Sequence, residues 1–160
     1  MKPSFEIALR AGDWPEEHVL HAMVARAFEA ASNAVRLEFT DGAELSLLFT
    51  DDAEMREINR DWRGQDKPTN VLSFPGEDVE AGEPAGAMLG DVVLAFQTIA
   101  SEAALEQKSF EDHLTHLIVH GIFHLFGYDH LEEDDALVME DAERRALSSL
   151  GIADPYAEIA

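Results

Sequence analysis

Three histidines lie close together in the segment HGIFHLFGYDH, residues 120–130. His120 and His124 are four residues apart, so on an α-helix they share one face and lie about 6 Å apart along the axis. Imidazole nitrogens are good ligands for Zn²⁺, and two rings placed in this way can bind one ion. We therefore predict a metal site in this segment.

Gly127 and His130 extend the pattern beyond the helix. A glycine just past the last helical turn can adopt the left-handed conformation and reverse the chain, which would bring His130 toward the other two rings. The chain has no cysteine, so its zinc ligands must be histidines or carboxylates. Three ligands leave one position of a tetrahedral zinc ion open for water, whose pKa the metal lowers to about 7. We expect one catalytic zinc ion, bound by His120, His124 and His130.

The residue after the first histidine bears on the class of reaction. The spacing His-x-x-x-His-x-x-Gly-x-x-His is that of the metzincin peptidases, in which a glutamate next to the first histidine acts as general base. Gly121 occupies that position and has no side chain that could accept a proton. A metal-dependent peptidase of metzincin-like geometry therefore remains an alternative that needs a carboxylate from elsewhere, such as the region of Glu140.

The elements that must position these residues alternate between strands and helices. Apolar patterning predicts strands over residues 4–9, 35–40, 43–50, 70–74 and 89–96. It predicts helices over residues 14–31, 51–62, 97–108, 109–127 and 132–150. Asp41-Gly42 is typical of a two-residue turn, which would join the second and third strands as a hairpin. Asp13 is expected to cap the first helix, with Pro15 in its first turn.

These elements predict an α+β fold. It consists of a small mixed sheet of four to five strands packed with about five helices, one of them a zincin-like metal helix. With 160 residues, 46% of them hydrophobic, and no divider rich in Pro, Gly or Ser, we expect a single domain over residues 1–160. No run approaches the roughly 18 uncharged apolar residues that a membrane span needs, so we expect a cytoplasmic protein without a membrane partner.

Beyond these patterns, the chain resembles a known family from about Arg56 to the end of the last predicted helix. The resemblance rests on HGIFHLFGYDH, on WRGQDKPTNVLSFP at residues 62–75 and on LGDVV at residues 89–93. These segments are similar to the YbeY family of bacterial endoribonucleases, also called rRNA maturation factors. The resemblance implies a zinc-dependent, single-strand-specific endoribonuclease involved in 3′-end maturation of small-subunit (16S) rRNA and in ribosome quality control. It also implies metal ligands at His120, His124 and His130, and a functional arginine at Arg63.

The basic residues agree with a functional Arg63. Of the eleven basic residues, Arg56, Arg60, Arg63 and Lys67 fall within one short segment. A guanidinium binds phosphate through a bidentate fork and can stabilise charge that develops on a phosphoryl oxygen. We expect Arg63 to lie in a loop and to act in catalysis and substrate binding, with Lys67 as a second substrate contact. Arg56 and Arg60 are expected to lie on a solvated helix face.

The net charge of −22 limits how RNA can bind. Phosphate contacts dominate nucleic-acid affinity, and eleven cations against 33 anions cannot form a broad basic surface. We therefore expect weak binding to free RNA and no binding to DNA. Recognition would need single-stranded rRNA presented by the ribosome or by ribosomal proteins, where exposed bases can stack.

The attacking group and the general base remain open at this point. Either water or the ribose 2′-hydroxyl could attack the phosphodiester, and a 2′,3′-cyclic phosphate product would exclude water as the first nucleophile. Asp129, His116 and an exposed carboxylate are candidates for the base. Besides the peptidase, a third reading is a non-catalytic ribosome-associated protein in which zinc only joins the last two helices.

Overall fold

A computed structural model describes residues 1–157, and within this range the chain forms four strands and five helices. The strands are β1 (Ser4–Leu9), β2 (Glu44–Thr50), β3 (Val71–Pro75) and β4 (Met88–Ala95). The helices are α1 (Glu17–Val35), α2 (Asp52–Arg63), α3 (Phe96–Leu105), α4 (Phe110–Leu125) and α5 (Glu133–Ser149). The predicted α+β fold is confirmed. No helix in the described range is long and apolar enough to cross a membrane.

The four strands form one mixed sheet with the order β1-β2-β4-β3. The first three strands of this order run parallel, and β3 pairs antiparallel with β4 as an edge strand. Val92 belongs to the main apolar core with α1, α4 and α5, whereas its neighbour Val93 packs in a smaller cluster with Met55 of α2. Because successive strand residues point to opposite faces, α2 lies on the face opposite α4.

The predicted hairpin over residues 35–50 is wrong. The Asp41-Gly42 turn does form, since Gly42 has a φ of 79° and the Ala43 amide donates to the Thr40 carbonyl at 2.9 Å. However, α1 continues to Val35, and β2 pairs in parallel with β1 rather than with the preceding segment. A helix that connects two neighbouring strands places them parallel, so the local turn signal was overridden by the β1-α1-β2 crossover.

The first helix starts later than predicted. It begins at Glu17, after an N-cap residue, Glu16, whose side chain makes no capping hydrogen bond, so Asp13 is not the cap. Trp14 lies before the helix, where its ring packs against Phe49, Phe96 and Phe110 at centroid distances of 5.1–5.9 Å. Packing of this half-buried aromatic ring between the sheet and two helices stabilises the extended approach to α1.

Candidate metal centre

Helix α4 places His120 and His124 at its C-terminal end. The Ser109 hydroxyl accepts a hydrogen bond from the Asp112 amide at 3.1 Å and so caps the start of this helix. His120 and His124 are both half-buried, with ring centroids 4.6 Å apart. Their Nε2 atoms lie 3.1 Å from each other, so both rings point to the same place.

Gly127 reverses the chain after α4. Its φ is 91°, and an added Cβ would collide with the Val79 carbonyl, so both conformation and space require glycine. The reversal brings the ring of His130 to 5.7 Å from that of His120 and 5.1 Å from that of His124. One ligand nitrogen from each histidine lies within 4.8 Å of the others. The structure thus brings the three predicted ligands together.

A buried carboxylate that the sequence analysis did not identify lies behind these rings. Glu143 of α5 is fully buried, and its Oε1 is 3.1 Å from His120 Nδ1 and 2.8 Å from His116 Nε2. The Tyr156 hydroxyl donates to both carboxylate oxygens at 3.1 Å. Burial alone would raise the pKa of Glu143, but the hydrogen bonds from the two histidines outweigh it and lower the pKa to about 2.

The ionised Glu143 fixes the tautomer of His120. A carboxylate only accepts hydrogen bonds, so His120 must donate its Nδ1 proton to Glu143. Its Nε2 then carries a free lone pair, directed toward His124. A carboxylate behind a histidine is the usual support for a metal-binding imidazole. The donor set therefore fits a divalent metal ion.

His124 is also suited to bind a metal ion. Burial, together with the nearby rings of His120 and His130, lowers its pKa to about 4. The ring is therefore neutral at pH 7, and only a neutral imidazole offers a lone pair to a metal ion.

Replacing Glu143 with glutamine is expected to weaken zinc binding by about 10- to 100-fold, as is typical when the group that supports a metal ligand is replaced. The amide can still fill the space but carries no charge to hold the Nδ1 proton of His120. Competition with a zinc-binding dye measures the affinity. Glu140→Gln is the matched control, because it removes a charge from the same helix and has no hydrogen bond to a histidine within residues 1–157. Equal effects of the two substitutions would contradict the role of Glu143.

Close packing explains why Gly121 follows the first ligand. A Cβ at this position would lie 2.9 Å from Val92 Cγ1 and 3.2 Å from Ser73 Oγ, so the sheet leaves no room for a glutamate. Ser73 Oγ also donates to the Gly121 carbonyl at 3.3 Å, which ties β3 to α4. Gly121 thus allows the helix to approach the sheet beside the predicted metal ligands.

The structure also places the remaining candidates for the general base. His116 contacts Glu143 rather than the convergence point of the three rings, which agrees with a supporting role. The Asp129 carboxylate accepts from the backbone amide of His130 at 2.7 Å and also lines the cleft beside the histidines. Glu140, considered above for a peptidase, lines a separate cavity of about 250 Å³ that is also bounded by His120 and His130.

Arg63 lies in the same cleft as the three histidines. The cleft has a volume of about 570 Å³ and lies between β3, α4 and the loops that follow them. Arg63 is the last residue of α2, not a loop residue as predicted, because Gly64 caps the helix with a φ of 69°. Its Nη2 donates to the Ser73 carbonyl at 3.3 Å, and its guanidinium lies 5.9 Å from the centroid of the Phe74 ring.

The other basic residues of the segment do not line the cleft. Lys67 lines a neighbouring depression of about 530 Å³ that also includes Arg63. Arg56 pairs with Asp66 at 2.8 Å and Arg60 with Asp61 at 3.2 Å, both on the surface. Neither Arg63 nor Lys67 forms an ion pair within the described part of the chain. Their charges therefore remain available to an anionic ligand.

Comparison with known proteins assigns the chain to a family. A model of the family Endoribonuclease YbeY matches residues 13–151 of the chain. A protein named Endoribonuclease YbeY from Allorhizobium ampelinum is 51% identical over 160 residues, covering 98% of this chain and 96% of its own length. The chain belongs to the YbeY endoribonuclease family. YbeY proteins from Rhizobium meliloti and Bartonella quintana are 51% and 47% identical and cover 96% and 98% of this chain.

The fold is shared with a more distant solved structure. The solution structure of TM1509 from Thermotoga maritima superposes with a TM-score of 0.55 and covers 97% of this chain and 100% of its own. The two sequences are only 22% identical, so this likeness concerns the fold alone. The YbeY assignment therefore rests on the family model and on the closely similar relatives, and it agrees with the resemblance seen in the sequence motifs.

Proposed function

We propose that this YbeY-family chain is a zinc-dependent endoribonuclease that cleaves single-stranded RNA in the cleft between β3 and α4. The observation that carries the proposal is that His120, His124, His130 and Arg63 line one cleft. The imidazoles would bind the ion, and Arg63 would bind the phosphate to be cleaved. The name of the related proteins, Endoribonuclease YbeY, supports the reaction class.

Zinc is the metal that the donor set favours. Three imidazoles and no cysteine suit zinc better than magnesium or calcium, which prefer oxygen ligands. When bound, zinc supplies Lewis-acid polarisation of a phosphoryl oxygen and lowers the pKa of water. The protein contributes the neutral ring of His124 and the ring orientation of His120, which Glu143 holds.

Arg63 has the geometry to hold a phosphate beside the histidines. One guanidinium nitrogen donates to the Ser73 carbonyl, and the Phe74 ring lies near the group, so its orientation is restrained before substrate binds. The other N–H groups can donate to phosphate oxygens in a bidentate manner. A preorganised cation at the site of developing charge stabilises the transition state more than the ground state. Lys67, in the adjoining depression, would contact a neighbouring phosphate.

The electrostatics of the cleft limit RNA binding to few phosphate contacts. Glu77, Asp78 and Asp129 also line the cleft, and the chain as a whole carries a charge of −22. We expect the affinity for free single-stranded RNA to fall with salt at a log–log slope of only about −0.7 to −2, as for one to three contacts. Titration of a labelled oligonucleotide at several salt concentrations measures the slope. A slope that requires six or more contacts would contradict this account.

Ribosomal RNA is the substrate that the proposal assigns. An acidic enzyme with few phosphate contacts binds free RNA weakly, so its substrate needs to be presented by another surface. The ribosome or its proteins would present a single-stranded rRNA end, which fits a role in small-subunit rRNA maturation in the cytoplasm. The same acidic charge disfavours DNA.

The experiment that tests the function uses the purified, zinc-loaded chain on three substrates. Single-stranded RNA should be cleaved, whereas duplex RNA and an unfolded protein should remain intact. His18→Ala is a suitable control, since this histidine is 76% exposed on α1 and should retain full activity. Cleavage of the unfolded protein with intact RNA would support the peptidase alternative. Zinc binding without cleavage of any substrate would support a purely structural ion.

A further inference from the structure

Trp62, the residue before Arg63, exposes a large aromatic ring to solvent. The residue is 75% exposed, in contrast to Trp14, which packs among three phenylalanines. Tryptophan is highly buried on average in folded proteins, and exposure of its ring forgoes considerable apolar burial. No element within residues 1–157 covers most of this side chain. The exposed ring is therefore available to an external group.

The ring of Trp62 is supported from one side. It packs edge to face with Phe74 at a centroid distance of 5.9 Å and an interplanar angle of 61°. Phe74 is half-buried in β3 and packs against the small core cluster under α2. Both aromatic residues are thus attached to regular elements, and the tryptophan keeps open surface while its orientation is restrained.

Arg63 connects this aromatic surface to the cleft across the edge of the sheet. Its guanidinium contacts the Phe74 ring, which lies on the α2 face, and donates to the Ser73 carbonyl of the same edge strand. Ser73 points to the opposite face, where its hydroxyl donates to the Gly121 carbonyl of the metal helix. An RNA strand that leaves the cleft over the edge of β3 would therefore pass Arg63 first and Trp62 next.

We propose that Trp62 is a stacking subsite for one base of single-stranded RNA, next to the phosphate that Arg63 binds. This inference rests on the proposed function and extends it. Stacking on aromatic rings binds unpaired bases of any sequence without adding positive charge. A chain with a net charge of −22 needs such a contribution, because it has few cations for phosphates. Since paired bases are stacked within a duplex, the subsite also selects for single strands.

Steady-state cleavage of a short single-stranded RNA by the zinc-loaded chain provides the first test. Trp62→Ala should raise KM about tenfold with kcat changed less than about twofold, because loss of one stacked base weakens binding of both ground and transition states. Trp62→Phe should restore most of the loss. Leu105→Ala is the matched control, since Leu105 is 81% exposed and does not line the cleft. An unchanged KM in Trp62→Ala would overturn the proposal.

Intrinsic fluorescence provides a second readout that does not depend on turnover. The chain has two tryptophans, so Trp62→Phe leaves Trp14 as the sole tryptophan, which excitation at about 295 nm selects over the two tyrosines. Rapid mixing with single-stranded RNA should quench the parental chain before measurable cleavage and should leave the Trp62→Phe variant unquenched. Duplex RNA should quench neither protein. Equal quenching of parent and variant would overturn the stacking subsite, whereas quenching without later cleavage would refute the proposed function and leave the subsite in place.

Discussion

Replacing His124 with alanine is expected to abolish zinc binding and RNA cleavage together. His124 is half-buried between His120 and His130, and its low pKa keeps the ring neutral and able to bind a metal. Loss of a supporting partner behind a ligand already weakens metal affinity by 10- to 100-fold, so loss of a ligand should exceed about 100-fold. Zinc content after dialysis and the rate of single-stranded RNA cleavage measure the two effects.

The His124→Ala variant also tests whether the zinc ion that the protein binds is the one at the predicted site. His18→Ala serves as the control for removal of a histidine, because it lies on the surface of α1, outside the cleft. Thermal unfolding of the metal-free proteins should show that His124→Ala is folded. A folded His124→Ala variant that retains one zinc ion per chain would show that the ion is bound elsewhere.

Replacing Arg63 with alanine is expected to lower kcat by about 100- to 1,000-fold while zinc remains bound, as for the loss of one preorganised donor to a developing charge. The side chain makes no hydrogen bond to His120, His124 or His130; it donates to the Ser73 carbonyl and lies near the Phe74 ring. The expected pattern is therefore full zinc content with almost no cleavage. Single-turnover cleavage with excess enzyme measures the chemical step separately from binding.

Arg63→Lys refines this test. Lysine keeps the charge but lacks the planar fork, so it should recover only a small part of the rate if bidentate phosphate binding matters. Lys67→Ala should instead raise KM modestly, because this residue lies in the adjoining depression. If Arg63→Ala cleaves RNA at the parental rate, the role assigned to the guanidinium is wrong.

The metal helix was predictable from the sequence because its signals are local. The Ser109 cap and the four-residue spacing of His120 and His124 follow from helix geometry alone. The positive φ of Gly127 follows from its position after the last turn. These features depend on neighbouring residues, so the sequence indicated the convergence of the three histidines without knowledge of the remaining fold.

The sheet was less predictable because strand partners are chosen by the whole chain. Asp41-Gly42 forms the expected turn, but the segment before it does not form a strand that pairs with β2. Helix α1 runs to Val35, and β2 pairs with β1 instead. The three phenylalanines that pack on Trp14 come from distant segments of the sequence. No local pattern therefore indicated that Trp14 would lie outside the first helix. Local propensity competes with tertiary packing, and at these two positions packing prevailed.

The sequence contains a signal from which the buried carboxylate of Glu143 could have been predicted. Glu143 falls among Met139, Ala142, Ala146 and Leu147, all buried on one face of α5. A glutamate on the apolar face of a helix is seldom buried without a partner, and the histidines of the preceding helix were the available partners. Tyr156 could not have been assigned in this way, because its contact with Glu143 depends on the course of the chain after α5.

An anomalous difference map from crystals of the zinc-loaded chain, recorded at the zinc absorption edge, tests the central claim most directly. The account predicts one strong peak per chain, within bonding distance of a ring nitrogen from each of His120, His124 and His130, with no fourth protein ligand. It also predicts that the ion faces the cleft that Arg63 lines. A peak elsewhere, or a peak closed off by a fourth protein atom such as a Glu143 oxygen, would contradict a catalytic metal centre.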